Sequence, residues 1–258
     1  MDPSHYYLKT ILLLFFLDNI VSGQNTEKVD DSDIHAKVKD YIARDCGVED
    51  ATGKAIDCGT NISDWDTSGV TNMSYLFYNA DGKSSSFNQD LSKWNTSSVT
   101  HMNWMFKGAR SFNSDLNWDV SNVVNMNGMF SGATSFNGDI SSWNPKNVTS
   151  MNYMFQDATS FNRDISSWNI SSVKEMNYMF MFASSYNQNL CDWGDKFPYD
   201  SATNIFFNSG CTNTSTPLWV SKGSWEYKKG PFCASASCPP FDSVSYACSQ
   251  SGCIISFH

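Results

Sequence analysis

Three residue types recur in this chain at fixed offsets from one another, and each could carry chemistry. Asn88, Asn113, Asn137, Asn162 and Asn187 form one column, each following an aromatic residue. Asp90, Asp115, Asp139 and Asp164, with Asn189 next, form a second. Trp94, Trp118, Trp143 and Trp168 form a third, with Trp65 before it and Trp193 after it. A ladder of amides beside a ladder of indoles has the ingredients of a sugar-binding face. The more economical expectation is that the Asn side chains bond backbone groups at each corner, as Asn does in turns. It is likewise that the Trp residues fill core or edge, since Trp is heavily buried on average. A calcium ion needs six to eight oxygens at one point. One carboxylate per repeat supplies too few, so no metal and no cofactor are expected.

Enzymatic signatures are missing. The chain has no G-x-S-x-G, no H-E-x-x-H and no P-loop. His35, His101 and His258 stand apart with no recurrent companion. The expectation is a protein that is not an enzyme. A net charge of −9 also argues against nucleic acid as a partner, which demands a basic footprint.

Eight cysteines, Cys46, Cys58, Cys191, Cys211, Cys233, Cys238, Cys248 and Cys253, follow an N-terminal targeting signal. Lys9 precedes the apolar run Ile11-Leu12-Leu13-Leu14-Phe15-Phe16-Leu17, and Val21-Ser22-Gly23 offers small residues for cleavage. The run is too short to span a bilayer, so residues 1–23 read as a cleaved secretory signal, with no membrane span in the mature chain. An even cysteine count behind such a signal reads as disulfides, and no close Cys pair of the zinc type occurs. Bridges Cys46–Cys58 and Cys191–Cys211 would each pin one end of the repeat region, and the last four cysteines permit three connectivities. N-x-S/T motifs make Asn61, Asn95, Asn147, Asn169 and Asn213 candidates for N-glycosylation. Asn72 lies inside an apolar stripe and is the poorest candidate.

The columns require a repeat to hold them. Trp at 65, 94, 118, 143, 168 and 193 gives intervals of 29, 24, 25, 25 and 25. The pairs Leu76-Phe77, Met105-Phe106, Met129-Phe130, Met154-Phe155 and Met179-Phe180 keep step. The long interval holds four extra residues within DGKSSS, and the short one reads Leu116-Asn117-Trp118 where a neighbour has Ile140-Ser141-Ser142-Trp143. Val99, Met102, Met105-Phe106 and Ala109 step by three and four, which predicts a short helix, with Ser68, Ser97, Ser98, Ser121 and Ser171 as N-cap candidates. The FNxD(I/L)SxW arm predicts an extended segment with a bend between the aliphatic residue and Trp. One unit cannot bury both arms; about six stacked in register can. The fold class expected is therefore an α/β repeat solenoid over residues 61–212. Ile34, Val38, Tyr41 and Ile42 predict a helical cap within 24–60, the rival being a flexible acidic leader. A Cys-rich extension, 213–258, closes the chain. In it Trp219 and Trp225 could form an aromatic contact site, though such a pair more often packs on the last turn.

The pattern W-N-x-S-x-V-x-x-M-x-x-M-F-x-x-A-x-x-F-N-x-D-I resembles the 25-residue repeat of BspA-like surface proteins, usually grouped with leucine-rich repeats. The resemblance covers roughly residues 61–212. It implies a right-handed, leucine-rich-repeat-like solenoid on a secreted or cell-surface protein, and it brings no catalytic residues. It departs from ordinary leucine-rich repeats in lacking L-x-x-L-x-L and in a core of Met and Phe. The expected function is recognition or adhesion through the solenoid surface, with an unidentified protein or glycan at the cell surface as partner. The rivals are a carbohydrate-binding module using the Trp and Asn columns and a structural spacer of a wall or matrix.

Overall fold

The computed structural model describes residues 26–46, 59–78, 83–212, 214, 217–222, 225–229, 233, 245–249 and 252–256. The signal segment 1–23, Cys58, Asn213 and Cys238 lie outside them. Strand β1 (Lys28–Asp30) leads into helix α1 (Ile34–Ala43) and pairs in parallel with β2 (Asp66–Gly69). Two antiparallel hairpins follow the repeats, β3 (Leu218–Lys222) with β4 (Trp225–Lys229) and β5 (Ser245–Ser249) with β6 (Gly252–Ser256).

Between them the chain winds in coils that lie on one another at the repeat interval. The Met102 N–H donates to Asn125 O at 3.0 Å, Trp104 N–H to Asn127 O at 2.8 Å, Phe106 N–H to Met129 O at 2.8 Å and Gly108 N–H to Ser131 O at 2.8 Å. The return bond runs from Val124 N–H to Thr100 O at 2.8 Å. Single parallel bridges link Asn72, His101, Asn125, Ser150 and Glu175 in one row across five coils.

The expected helix in each unit does not form. Among the described residues α1 is the one α-helix. The N–H groups between those aimed at the next coil close four-residue turns instead: Met105 to Met102 O, Lys107 to Trp104 O and Ala109 to Phe106 O. The third position of the turns at 102–105 and 106–109 has positive φ, at Trp104 (59°) and Gly108 (72°). The same pair of sites recurs as Gly128 and Gly132, Tyr153 and Asp157, Tyr178 and Phe182, and Asn204 and Asn208. A left-handed residue at the third position is the demand of a type II turn, and it stops an α-helix outright. The Ser residues expected to cap helices serve otherwise. Backbone N–H groups of Ser68, Ser97, Ser121 and Ser171 donate to Oδ1 of Asp66, Asn95, Asp119 and Asn169, each two residues back.

The bend before Trp is a tight turn. Trp94, Trp143, Trp168 and Trp193 each donate their N–H to the aliphatic residue three positions back. The unit that is one residue shorter runs Leu116-Asn117-Trp118 without that turn, and Leu116 N–H instead reaches Asp139 O.

Side chains stack in the same register as the backbone. Phe77, Phe106, Phe130, Phe155, Phe180 and Phe206 lie ring on ring at 5.1–5.7 Å between centroids. Phe87, Phe112, Phe136, Phe161 and Tyr186 form a second stack at 5.6–6.1 Å. Met, Val and aliphatic columns complete a continuous buried core. Burying each such side chain contributes about 1.5–3 kcal/mol, and that gain recurs coil after coil.

Each end has its own closure. Ile34, Val38 and Tyr41 of α1 are buried, and the Tyr41 ring meets Trp65 edge-on at 6.0 Å. The residues expected to cap the array thus form a helix, not a flexible leader. Thr100 N–H bonds the carbonyl of Thr71 in the preceding coil, but Thr71 N–H bonds no backbone carbonyl among the described residues. The Asp31 carboxylate stands in, accepting from Thr71 N–H at 2.7 Å and Asn72 N–H at 2.9 Å. At the far end Cys211 is bonded to Cys233, with Cα atoms 4.6 Å apart. The expected Cys191–Cys211 bridge is therefore wrong: the final coil is tied to the tail and not closed on itself. Cys46 and Cys191 are also disulfide-bonded, and no cysteine among the described residues is free. The β5–β6 register sets Cys248 opposite Cys253.

Candidate functional site

The Trp column is interior. Trp65, Trp94, Trp118, Trp143 and Trp168 stack at 5.8–6.5 Å. From Trp94 to Trp168 they are 2–4% exposed. Each of these four indole N–H groups donates to a carbonyl of the coil before it: Ile62, Leu91, Leu116 and Ile140. An exposed sugar platform on this column is thus contradicted. The indole is buried because its one polar atom finds a partner there.

The Asn column is an amide ladder. Oδ1 of Asn88, Asn113, Asn137 and Asn162 each accepts the backbone N–H of the equivalent Asn one coil on, at 2.7–3.0 Å. These groups hold coils together at the corner. The Asp column makes local turns: Asp90, Asp139 and Asp164 accept from the N–H of Ser92, Ser141 and Ser166. Those bonds to Ser92 and Ser141, with their hydroxyls, hold the Asp90 and Asp139 carboxyls below the usual range. No group of three or more His, Cys, Asp or Glu that could hold a metal occurs among the described residues.

The sequons differ in setting. Asn61 and Asn95 are exposed and fold their Oδ1 onto Ser63 and Ser97. Asn147 is exposed, but its Nδ2, the atom a glycan would occupy, donates to Ser121 O at 2.7 Å. Asn169 is half-buried. Trp219 and Trp225 lie in β3 and β4, and their side chains fall outside the described residues.

A different column is part-exposed: Tyr75 and Asn204 are exposed, Trp104, Tyr153 and Tyr178 half-buried and Gly128 buried. Tyr75, Trp104, Gly128, Tyr153, Tyr178 and Asn204 occupy the first left-handed position of successive coils. Tyr75 is 50% exposed and Tyr78, edge-on to it at 5.8 Å, is 37% exposed. Tyr153 and Tyr178 stack at 5.1 Å and 7°. Trp104 stacks on Tyr153 at 6.1 Å although Gly128 lies between them in the array. Lys107 Nζ sits 4.6 Å from the Trp104 ring centroid and 5.4 Å from that of Tyr78. Beside the rings runs a second amide ladder: Asn127 Oδ1 accepts from Asn152 N–H, Asn152 Oδ1 from Asn177 N–H, and Asn177 Oδ1 from Thr203 N–H, at 2.8–2.9 Å. Glu175 accepts from Asn152 Nδ2 at 2.6 Å and from Ser150 Oγ at 3.1 Å.

Sequence reasoning missed this ribbon. The signal was present in the column Tyr75, Trp104, Gly128, Tyr153, Tyr178, where a single glycine interrupts a run of aromatic residues, each one place before Leu or Met. A residue type shared by bulky rings and glycine marks a surface position with unusual backbone, not a core.

Stacked coils of about 25 residues, sealed by α1 at one end and disulfide-tied at the other, define a repeat protein. The chain belongs to the DUF285 family: its model, described as a Mycoplasma protein of unknown function, matches residues 48–117 and 116–219. No curated protein and no solved structure matches the chain.

Proposed function

We propose that this is a secreted or cell-surface, non-enzymatic protein that works in recognition or adhesion through one flank of its stack. The stack itself we take to be a right-handed solenoid of the BspA-like kind grouped with leucine-rich repeats, built of extended segments and turns. The disulfide between Cys211 and Cys233 supports an oxidising compartment.

One observation carries the reading. Tyr75, Trp104, Tyr153 and Tyr178 all hold positive φ. For a residue with a Cβ that backbone is disfavoured by about 1–2 kcal/mol. Gly128 and Asn204 show what the same position takes when only the turn matters. Stacking of Tyr153 on Tyr178 returns about 0.5–1.5 kcal/mol. Tyr75 has no such partner one coil on and stays half exposed. Strain kept on an ordered, part-exposed face is a mark of binding sites. The test is adhesion of the purified protein to the surface of cells from its source organism. Replacing Tyr153 and Tyr178 by Asn should abolish adhesion with the fold intact; undiminished adhesion would make the array a spacer.

A further inference from the structure

We infer that Asn61 and Asn95 carry N-linked oligosaccharides and that Asn147 does not. The inference rests on the secretory part of the proposed function and not on the ribbon.

Two turns recur along the stack, each built on one side-chain oxygen. Four residues before a Trp, that oxygen belongs to Asp90, Asp139 or Asp164, which accept the N–H of Ser92, Ser141 and Ser166. Directly after a Trp it belongs to Asp66 or Asp119, which accept the N–H of Ser68 and Ser121. Asn61 takes the first position and Asn95 the second. Asn61 Oδ1 accepts from the N–H and the hydroxyl of Ser63, both at 3.0 Å. Asn95 Oδ1 accepts from Ser97 N–H at 3.1 Å and from its hydroxyl at 2.8 Å. A carboxylate does this work at the equivalent sites, so the turn has no use for the amide nitrogen. In both residues Nδ2 makes no hydrogen bond among the described residues, and both residues are exposed.

Asn147 is the reverse case. Its Nδ2 donates to Ser121 O at 2.7 Å, and Asn122, which begins no N-x-S/T motif, donates in the same way to Ser97 O at 2.8 Å. That nitrogen serves the stack. Asn72 and Asn169 stand between. Their Oδ1 atoms accept the backbone N–H of Ser74 and Ser171. The Ser74 hydroxyl is drawn to Asn103 Oδ1 instead, and Asn169 is half-buried. Both are weaker acceptors of a glycan.

The chemistry suits a spare amide. An amide nitrogen is a poor nucleophile until it gives up a proton, and the charge then falls on Oδ1. Hydrogen bonds strengthen when the acceptor is charged, so the Ser63 and Ser97 donors favour that step. These bonds reach only two residues along the chain and need no stacked coil. In the transfer, Nδ2 attacks C1 of an oligosaccharide held on a polyprenyl pyrophosphate. The C1–N bond forms and the C1–O bond breaks. The pyrophosphate leaves with the electron pair, and the amide proton goes to solvent. None of the ribbon asparagines Asn103, Asn127, Asn152 and Asn177 begins an N-x-S/T motif, so their amides stay unmodified.

The test is site-by-site mass spectrometry of the full chain secreted by its source organism, with glycans released enzymatically in heavy-oxygen water. Asn61 and Asn95 should be occupied in most copies and Asn147 in few. A second measurement uses protein made without glycans, in the periplasm of a bacterium that lacks the transferase. There the Asn61→Asp/Asn95→Asp variant should melt with the wild type, since Asp90 and Asp119 form the same turns. Asn147→Asp should melt lower, having lost its bond to Ser121. Three results would overturn the inference: a secreted chain bare at both sites, Asn147 as fully occupied as the other two, or a clear loss of stability in the double Asp variant. A chain kept inside the cell with residues 1–23 attached would sink the secretory reading and the glycans together. A secreted but bare chain would sink the glycans alone.

Discussion

Trp104 lies against Tyr153, two coils away, because Gly128 between them has no side chain. A Cβ built on Gly128 would fall 2.0 Å from Cε3 and Cζ3 of Trp104. The glycine also holds φ 58°. Gly128→Ala should therefore cost about 1–3 kcal/mol, from the left-handed backbone and the displaced indole together. Urea unfolding of the single and double variants checks it. Trp104→Gly removes the obstacle, so the Trp104→Gly/Gly128→Ala pair should recover the steric share and keep only the backbone share. Additive effects of the two changes would refute the contact.

Why this contact was hidden in the sequence is a matter of turn geometry. A helix and a run of four-residue turns both place apolar residues at steps of three and four. Val99, Met102, Met105 and Ala109 therefore read as a helical stripe while the chain makes turns. The columns themselves were legible, because a residue that stacks on its own copy must recur at the coil interval. Burial of Trp118 and the amide role of Asn113 followed from residue chemistry. The ribbon did not, since its aromatic residues sit off the apolar stripe and their exposure depends on φ. The helix over Ile34–Ala43 was readable because α1 is a true helix, with Ile34, Val38 and Tyr41 on one face.

The indole bonds offer a second check. Trp118 Nε1 donates to Leu91 O at 2.9 Å in a buried site. Trp118→Phe keeps a ring in the stack but removes one of two donors to that carbonyl, which retains the Trp94 N–H at 3.1 Å. The expected loss is about 0.5–1.5 kcal/mol from the missing hydrogen bond, with a further contribution from the smaller ring. Trp118→Ala should lose about 3–5 kcal/mol. Denaturant midpoints that rank the two variants the other way would count against the stacked column.

Acid should loosen the array at its turns and at its first coil. Ser N–H and hydroxyl bonds hold Asp90, Asp119 and Asp139 below their ordinary value of 3.8. Asp31 is likewise lowered: partial burial pushes it up, but the Thr71 and Asn72 bonds outweigh that. A carboxyl whose pKa falls on folding binds fewer protons folded than unfolded. Its contribution is complete above 3.8 and is lost as pH drops through the lower folded value. Melting temperature should thus be flat toward neutrality and fall below about pH 4. Asp31→Asn should blunt the part of that fall reported by amide exchange at Thr71 and Asn72.

The tie between Cys211 and Cys233 acts on the unfolded chain more than on the core. The residues it joins are 22 apart in sequence, and closing a loop of that size is worth ~3 kcal/mol in the chain-entropy model. In a stack where each coil touches only its neighbours, losing the tie is felt first at the end it serves. Cys211→Ser/Cys233→Ser should speed amide exchange in the last coil, at Ile205 and Gly210, whose N–H groups bond Ala202 O and Ala183 O. Exchange at Phe106 and Met129, in the interior of the stack, should stay nearly unchanged. Uniform acceleration along the whole array would mean that the coils unfold as one unit and that the bridge supports all of them. Protection lost only beyond Ala183 would show the ends yielding first, as nearest-neighbour stacking requires.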